Sequence, residues 1–143
     1  MIQKTYIMVK PHFANYENIV ELVKSEITKK GMNIEDSSYI KYSVEDAQKH
    51  YAEHFRGSYE NAKGFYKELE NYITSDKAYG MIVSGEDAIT TMRTLIKELR
   101  QTIPAMIGEE PRMTENVLHG SDCEESVLNE IAIFHSLKKT IDI

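Results

Sequence analysis

A chain of 143 residues with a formal net charge of −6 and a pI near 5.4 is long enough for one core without covalent staples. The acidic balance argues against broad electrostatic attraction to nucleic acid or an anionic membrane, so an anionic ligand has to be met by a local cluster of cations. A lone cysteine, Cys123, an N-terminus that reads at once as a strand, and no apolar run near the roughly 20 residues that span a bilayer point to a soluble, cytoplasmic protein. It reads as one domain over residues 1–143.

Thr5 to Val9 reads as a short apolar strand that Lys10 and Pro11 end, because proline has no N–H for a central ladder. From Asn15, the apolar residues Ile19, Leu22, Val23 and Ile27 recur at helical spacing until Lys29, Lys30 and Gly31 supply a stop. Met32 to Tyr42 is a second extended stretch. Ser43 with Asp46 resembles a capping box opening a helix through His54. Another helix is expected over about Glu60 to Thr74, then a buried strand from Ala78 to Ser84. Ala88, Ile89, Met92, Leu95, Ile96 and Leu99 mark an amphipathic helix. Pro104, Gly108 and Pro111 make a loop of Gln101 to Glu115. Asn116 to His119 is a brief strand, and Ser121 with Glu124 gives a second capping-box pattern before a helix carrying Val127, Leu128, Ile131 and Phe134. Two right-handed β-α-β crossovers follow from this order. An α+β, ferredoxin-like sandwich, a four-stranded antiparallel sheet with helices packed on it, satisfies them most simply.

His119 ends a strand and is followed by Gly120, which allows close backbone approach to a ligand, and by a helix start whose N–H groups suit an anion. Glu130 lies eleven residues on, about three helical turns, where a helix packed back across the sheet would set its carboxylate near the imidazole. Such a partner orients the ring and supports the cation formed when it is phosphorylated. The plainer readings are a packed core histidine and an exposed helix carboxylate.

NVLHGSD at 116–122 closely resembles the nucleoside diphosphate kinase family, and TYIMVKP at 5–11, KKGMNI at 29–34, HYAEH at 50–54 and the ES...EIAIF pattern at 125–134 resemble the same family in the same order. The resemblance covers about residues 4–134 and is weaker from Phe55 to Glu115. It implies a ping-pong kinase in which His119 is phosphorylated, Glu130 orients it, and Ser121 supports the pair. Lys10 and Asn116 would contact the ribose hydroxyls and the transferring phosphate, against plainer readings as a surface lysine and a turn asparagine. Tyr51 would reach the phosphohistidine. Phe65 would stack on the base, although core packing competes for it. Arg93 would be the first phosphate arginine. Substrates would be nucleoside triphosphates and diphosphates, with Mg²⁺ arriving on the phosphates and Asp122 helping through its waters.

Between Arg93 and His119 the chain departs from the family. A glycine-rich threonine-isoleucine-arginine segment is missing; QTIPA at 101–105 would supply Thr102, and Arg112 the second phosphate arginine. This segment commonly helps pack family members into hexamers, so its loss argues against that assembly, and a homo-oligomer, at least a dimer, is the expectation. An apparent insertion lies between His54 and Phe65. His50 and His54 stand at a spacing two metal ligands use, but no third ligand is evident. Cys123 reads as an oxidant sensor or as a small helix-start residue. The rival function is a non-catalytic, nucleotide-binding or partner-binding member of the same fold.

Overall fold

The computed structural model describes residues 2–52, 71–109 and 118–142, the side chains of 51, 52 and 139–142 excepted. Strand β1 (Ile2–Val9) leads through a 3-10 turn (Phe13–Asn15) to helix α1 (Glu17–Lys29), strand β2 (Asn33–Ile40) and helix α2 (Val44–Ala52). Residues 71–74 are helical; the rest of the helix expected over about 60–74 lies outside the described residues. Strand β3 (Ala78–Glu86), helix α3 (Ala88–Met106), strand β4 (Leu118–Gly120) and helix α4 (Glu124–Asp142) complete the order. The sheet runs β2-β3-β1-β4, and each neighbouring pair is antiparallel. This is the four-stranded antiparallel sandwich expected from the element order.

Alternation along β1 sorts the core into two layers. Ile7 and Val9 join α1 and α3 on one face, with Ile19, Val23, Met92 and Ile96. Tyr6 and Met8 point to the other face and pack with Ala47 of α2 and Ile133, Phe134 and Leu137 of α4. Gly80 makes this second layer close: a Cβ there would stand 2.6 Å from the Tyr6 hydroxyl oxygen and 2.8 Å from Phe134 Cδ1.

Local chemistry explains most element ends. Ser43 and Asp46 form a reciprocal cap, Asp46 N–H donating to Ser43 Oγ at 3.1 Å and Ser43 N–H to Asp46 Oδ2 at 3.4 Å. Helix α1 stops at Gly31, whose φ of 82° is the left-handed turn that closes a Schellman motif.

Two expectations are corrected. Residues 101–106 are helical rather than looped, because the apolar stripe of α3 continues through Leu99 to the fully buried Ile103. Burial of Ile103 and Pro104 outweighs the N–H that proline lacks. The stop is Gly108, φ 71°, where Glu109 N–H reaches Pro104 O at 2.9 Å and Gly108 N–H reaches Ala105 O at 3.2 Å. Ser121 does not cap α4. Its N–H still pairs with Tyr6 O across the sheet at 3.1 Å, so the helix begins at Glu124 and Val127 N–H closes its first turn on Cys123 O.

Candidate active site

Strand register builds the site. Met8 faces His119 across β1 and β4, and directly opposed residues share a sheet face. His119 therefore projects among the second layer, where α4 carries Glu130 and α2 carries His50.

His119 Nε2 lies 2.5 Å from Glu130 Oε1, and the exposures of the two side chains are 7% and 1%. Ser121 Oγ donates to the same carboxylate oxygen at 3.2 Å and accepts Tyr6 N–H at 3.2 Å. A carboxylate bound on one ring nitrogen fixes the tautomer: Nε2 carries the hydrogen and Nδ1 the lone pair. Ring planes tilted by 60° with centroids 4.4 Å apart put His50 against His119. Tyr42 Oη lies 3.5 Å from His50 Nδ1 and 3.0 Å from Tyr6 Oη. Aromatic edges and hydroxyls thus back the pair from inside the core.

Gly120 has a role other than close approach to a ligand. A Cβ there would collide with Ile96 Cδ1, so its missing side chain lets α3 pack on β4.

Lys10 follows the last residue of β1 and is 3% exposed. Burial, and secondarily the Arg100 charge, pull its amine from 10.5 down to about 7. Arg100 donates through Nε and Nη2 to Leu118 O at 3.1 and 2.9 Å, tying α3 to the start of β4. Arg93 and Asp122 are joined by a 2.5 Å ion pair, half-exposed on both sides. Asp122 is thus an oxygen donor at the surface, but an arginine already holds it. Thr102 sits exposed on α3, its hydroxyl donating back to Glu98 O at 3.4 Å. The backbone of Tyr51 belongs to α2 while its side chain is outside the described set, and Phe65, Arg112 and Asn116 lie outside the described residues altogether.

The fold thus brings together His119, Glu130 and Ser121 and sets Lys10 beside the Leu118 end of β4. Sequence reasoning paired His50 with His54 and never with His119, and it overlooked Arg100, Tyr6 and Tyr42. The alternation that places Tyr6 on the face of His119 is visible in the sequence; the packing of α2 over it is not.

Fold and site define the class first: an antiparallel α+β sandwich burying a histidine–carboxylate pair where its edge strand meets a helix. The family model described as nucleoside diphosphate kinase matches residues 3–140. The chain is 36% identical over 138 residues to the nucleoside diphosphate kinase of Metallosphaera sedula, covering 94% of both chains. It is 34% identical over 151 residues to that of Listeria monocytogenes serotype 4b, covering 99% of this chain and 98% of the relative. Among solved structures, the Aquifex aeolicus nucleoside diphosphate kinase superposes with a TM-score of 0.74 at 24% identity, covering 94% and 95% of the two chains. The Halobacterium salinarum enzyme, solved in complex with CDP, gives 0.71 at 25% identity, covering 94% and 88%. The chain belongs to the nucleoside diphosphate kinase family, a family of phosphotransferases.

Proposed function

We propose that the protein moves the γ-phosphate of a nucleoside triphosphate to a nucleoside diphosphate in a ping-pong cycle, with His119 carrying the phosphate between the two halves. The observation that carries this reading is the buried His119–Glu130 contact of 2.5 Å. With Nε2–H held by the carboxylate, the Nδ1 lone pair attacks the γ-phosphorus. The N–P bond forms as the bond to the β,γ-bridging oxygen breaks, and the diphosphate leaves with that electron pair. No proton has to move. Glu130 balances the positive charge that develops on the ring, and Ser121 fixes the carboxylate. The second half reverses these steps with an acceptor diphosphate.

Because phosphoryl transfer proceeds through a loose transition state, catalysis depends on positioning and charge. Lys10 and Arg93 supply cations in this reading, joined by Arg112 and Asn116; Tyr51 lends a hydroxyl, Phe65 a base platform and Thr102 a polar contact. The CDP bound to the Halobacterium salinarum relative supports a nucleotide diphosphate as ligand. Lys10 is largely uncharged above pH 7 without a ligand, and an arriving phosphate would favour its protonated form. A phosphate reaching Arg93 displaces Asp122 from its ion pair. Mg²⁺ would come on the nucleotide, where it neutralises phosphate charge. Oxygen donors suit it, and the exposed Asp122 carboxylate fits through bridging waters once Arg93 has turned away. Assembly as a homo-oligomer, at least a dimer, belongs to the same reading through the family likeness.

The direct test is incubation with γ-labelled ATP, separation from nucleotide, and chase with a diphosphate. An acid-labile, alkali-stable label that passes to the acceptor is expected; nucleotide binding without protein label would favour the non-catalytic rival. Glu130→Gln keeps an oxygen that can accept the Nε2 hydrogen but removes the charge. It is expected to slow turnover about a hundredfold or more with little change in melting temperature. Equal losses of activity and folding would leave the carboxylate a structural role alone.

A further inference from the structure

His50 of α2, His119 of β4 and Glu130 of α4 each bring one ligand atom to within 4.8 Å of the others, and all three are buried. We propose that these side chains form a transition-metal site, suited to Zn²⁺ and not to Mg²⁺, whose occupation and the phosphorylation of His119 exclude each other; the exclusion rests on the function proposed above, the site does not.

Two imidazoles and one carboxylate are a recognised zinc ligand set that leaves a fourth position open, whereas Mg²⁺ demands oxygen. Tetrahedral zinc with bonds of about 2.0–2.2 Å sets its ligand atoms roughly 3.3 Å apart. The His119–Glu130 pair, now at 2.5 Å, has to open by less than about 1 Å, and the most distant atoms have to close by about 1.5 Å or less, within the range of small side-chain rotations. Supports for His50 and Glu130 are already in place. Tyr42 lies against His50 Nδ1, which leaves Nε2 as the ligand atom, and Ser121 holds Glu130. Asn129 Nδ2 donates to Lys49 O at 3.0 Å, locking α4 to α2 one residue from both His50 and Glu130. Such outer partners orient ligands and sharpen metal affinity.

The exclusion follows from the two ring nitrogens. Zinc needs the Nε2 lone pair of His119, so the ring hydrogen shifts from Nε2 to Nδ1, and Glu130 turns from accepting that hydrogen to binding the ion. With Nδ1 carrying the hydrogen, the ring has no lone pair to attack phosphorus. Conversely, in the phosphorylated ring Nδ1 is taken, so Nε2 keeps its hydrogen, donated to Glu130, and has no lone pair for the metal.

Co²⁺ titration of the metal-free protein tests the site. Intense visible bands of tetrahedral Co²⁺ are expected at one equivalent, removed by Zn²⁺ and unaffected by millimolar Mg²⁺, with affinity at least about tenfold weaker in His50→Ala. If that variant misfolds, imidazole NMR of the wild type decides: Zn²⁺ should shift the His50 and His119 rings and spare His12 and His135. Weak octahedral spectra, equal affinity in a folded variant, or shifts confined to other histidines overturn the site. Protein phosphorylated with ATP and freed of nucleotide should give no tetrahedral bands; full bands would overturn the exclusion. Should no phosphoprotein form, the kinase reading fails while the Co²⁺ spectrum still judges the metal site.

Discussion

His119→Gln is expected to lose the phosphoprotein label entirely and to reduce turnover by a factor on the order of 10⁴ or more, since the covalent route disappears with the nucleophile. Glutamine is the informative replacement. Its amide N–H can still donate to Glu130, whereas alanine would remove the imidazole donor from a carboxylate whose own exposure is 1% and cost about 1.5–3 kcal/mol. Any residual direct transfer between two nucleotides would have to hold both phosphate tails in one cleft against their mutual repulsion. A folded His119→Gln protein that keeps more than a tenth of wild-type turnover, or still takes up label, ends the mechanism.

Lys10→Met should separate activity from stability. Loss of a phosphate-binding cation is expected to cost about a hundred- to a thousandfold in rate, yet the fold should gain. The folded amine titrates near 7 and the unfolded one at 10.5. Between these values the unfolded chain holds a proton the folded chain lacks, so wild-type stability rises with pH across that window. Below pH 7 the penalty is fully present, on the order of 5 kcal/mol. Methionine fills similar space and does not titrate. The variant's advantage in urea unfolding should be greatest near pH 6 and fade toward pH 10.5. A gain independent of pH would show that Lys10 is not buried as an amine under strain.

How much of this was legible in the sequence depends on the range of the interaction. The strands, the Ser43–Asp46 cap and the Gly31 stop rest on neighbours within a few residues, and each appears where local chemistry puts it. Glu130 was also readable, because a helix beginning just after a strand end has to fold back across the sheet, and eleven residues is about three turns. Pro104 misled because a proline penalty is local, whereas the burial of Ile103 that outweighs it belongs to the packing of α3. Ser121 offered two chemistries, a cap or a site ligand; its N–H in the β1–β4 pairing decided between them. His50 and Arg100 were invisible because their importance comes from α2 and α3 lying across strands far away in sequence. The family resemblance supplied what spacing alone could not, namely the roles proposed for Lys10, Tyr51, Phe65 and Arg93.

Two of the polar contacts between helix α4 and the sheet lie well apart along its axis. Glu130 meets the edge strand, and eight residues on, about 12 Å along the axis, Lys138 grips both carboxylate oxygens of Asp36 on β2 at 2.7 and 3.0 Å. A rod mounted at two points cannot slide or roll without breaking one of them. The height at which the Glu130 carboxylate hangs is thus set partly by an ion pair on the opposite margin of the sheet, and changes there reach the imidazole through the stiffness of a single helix.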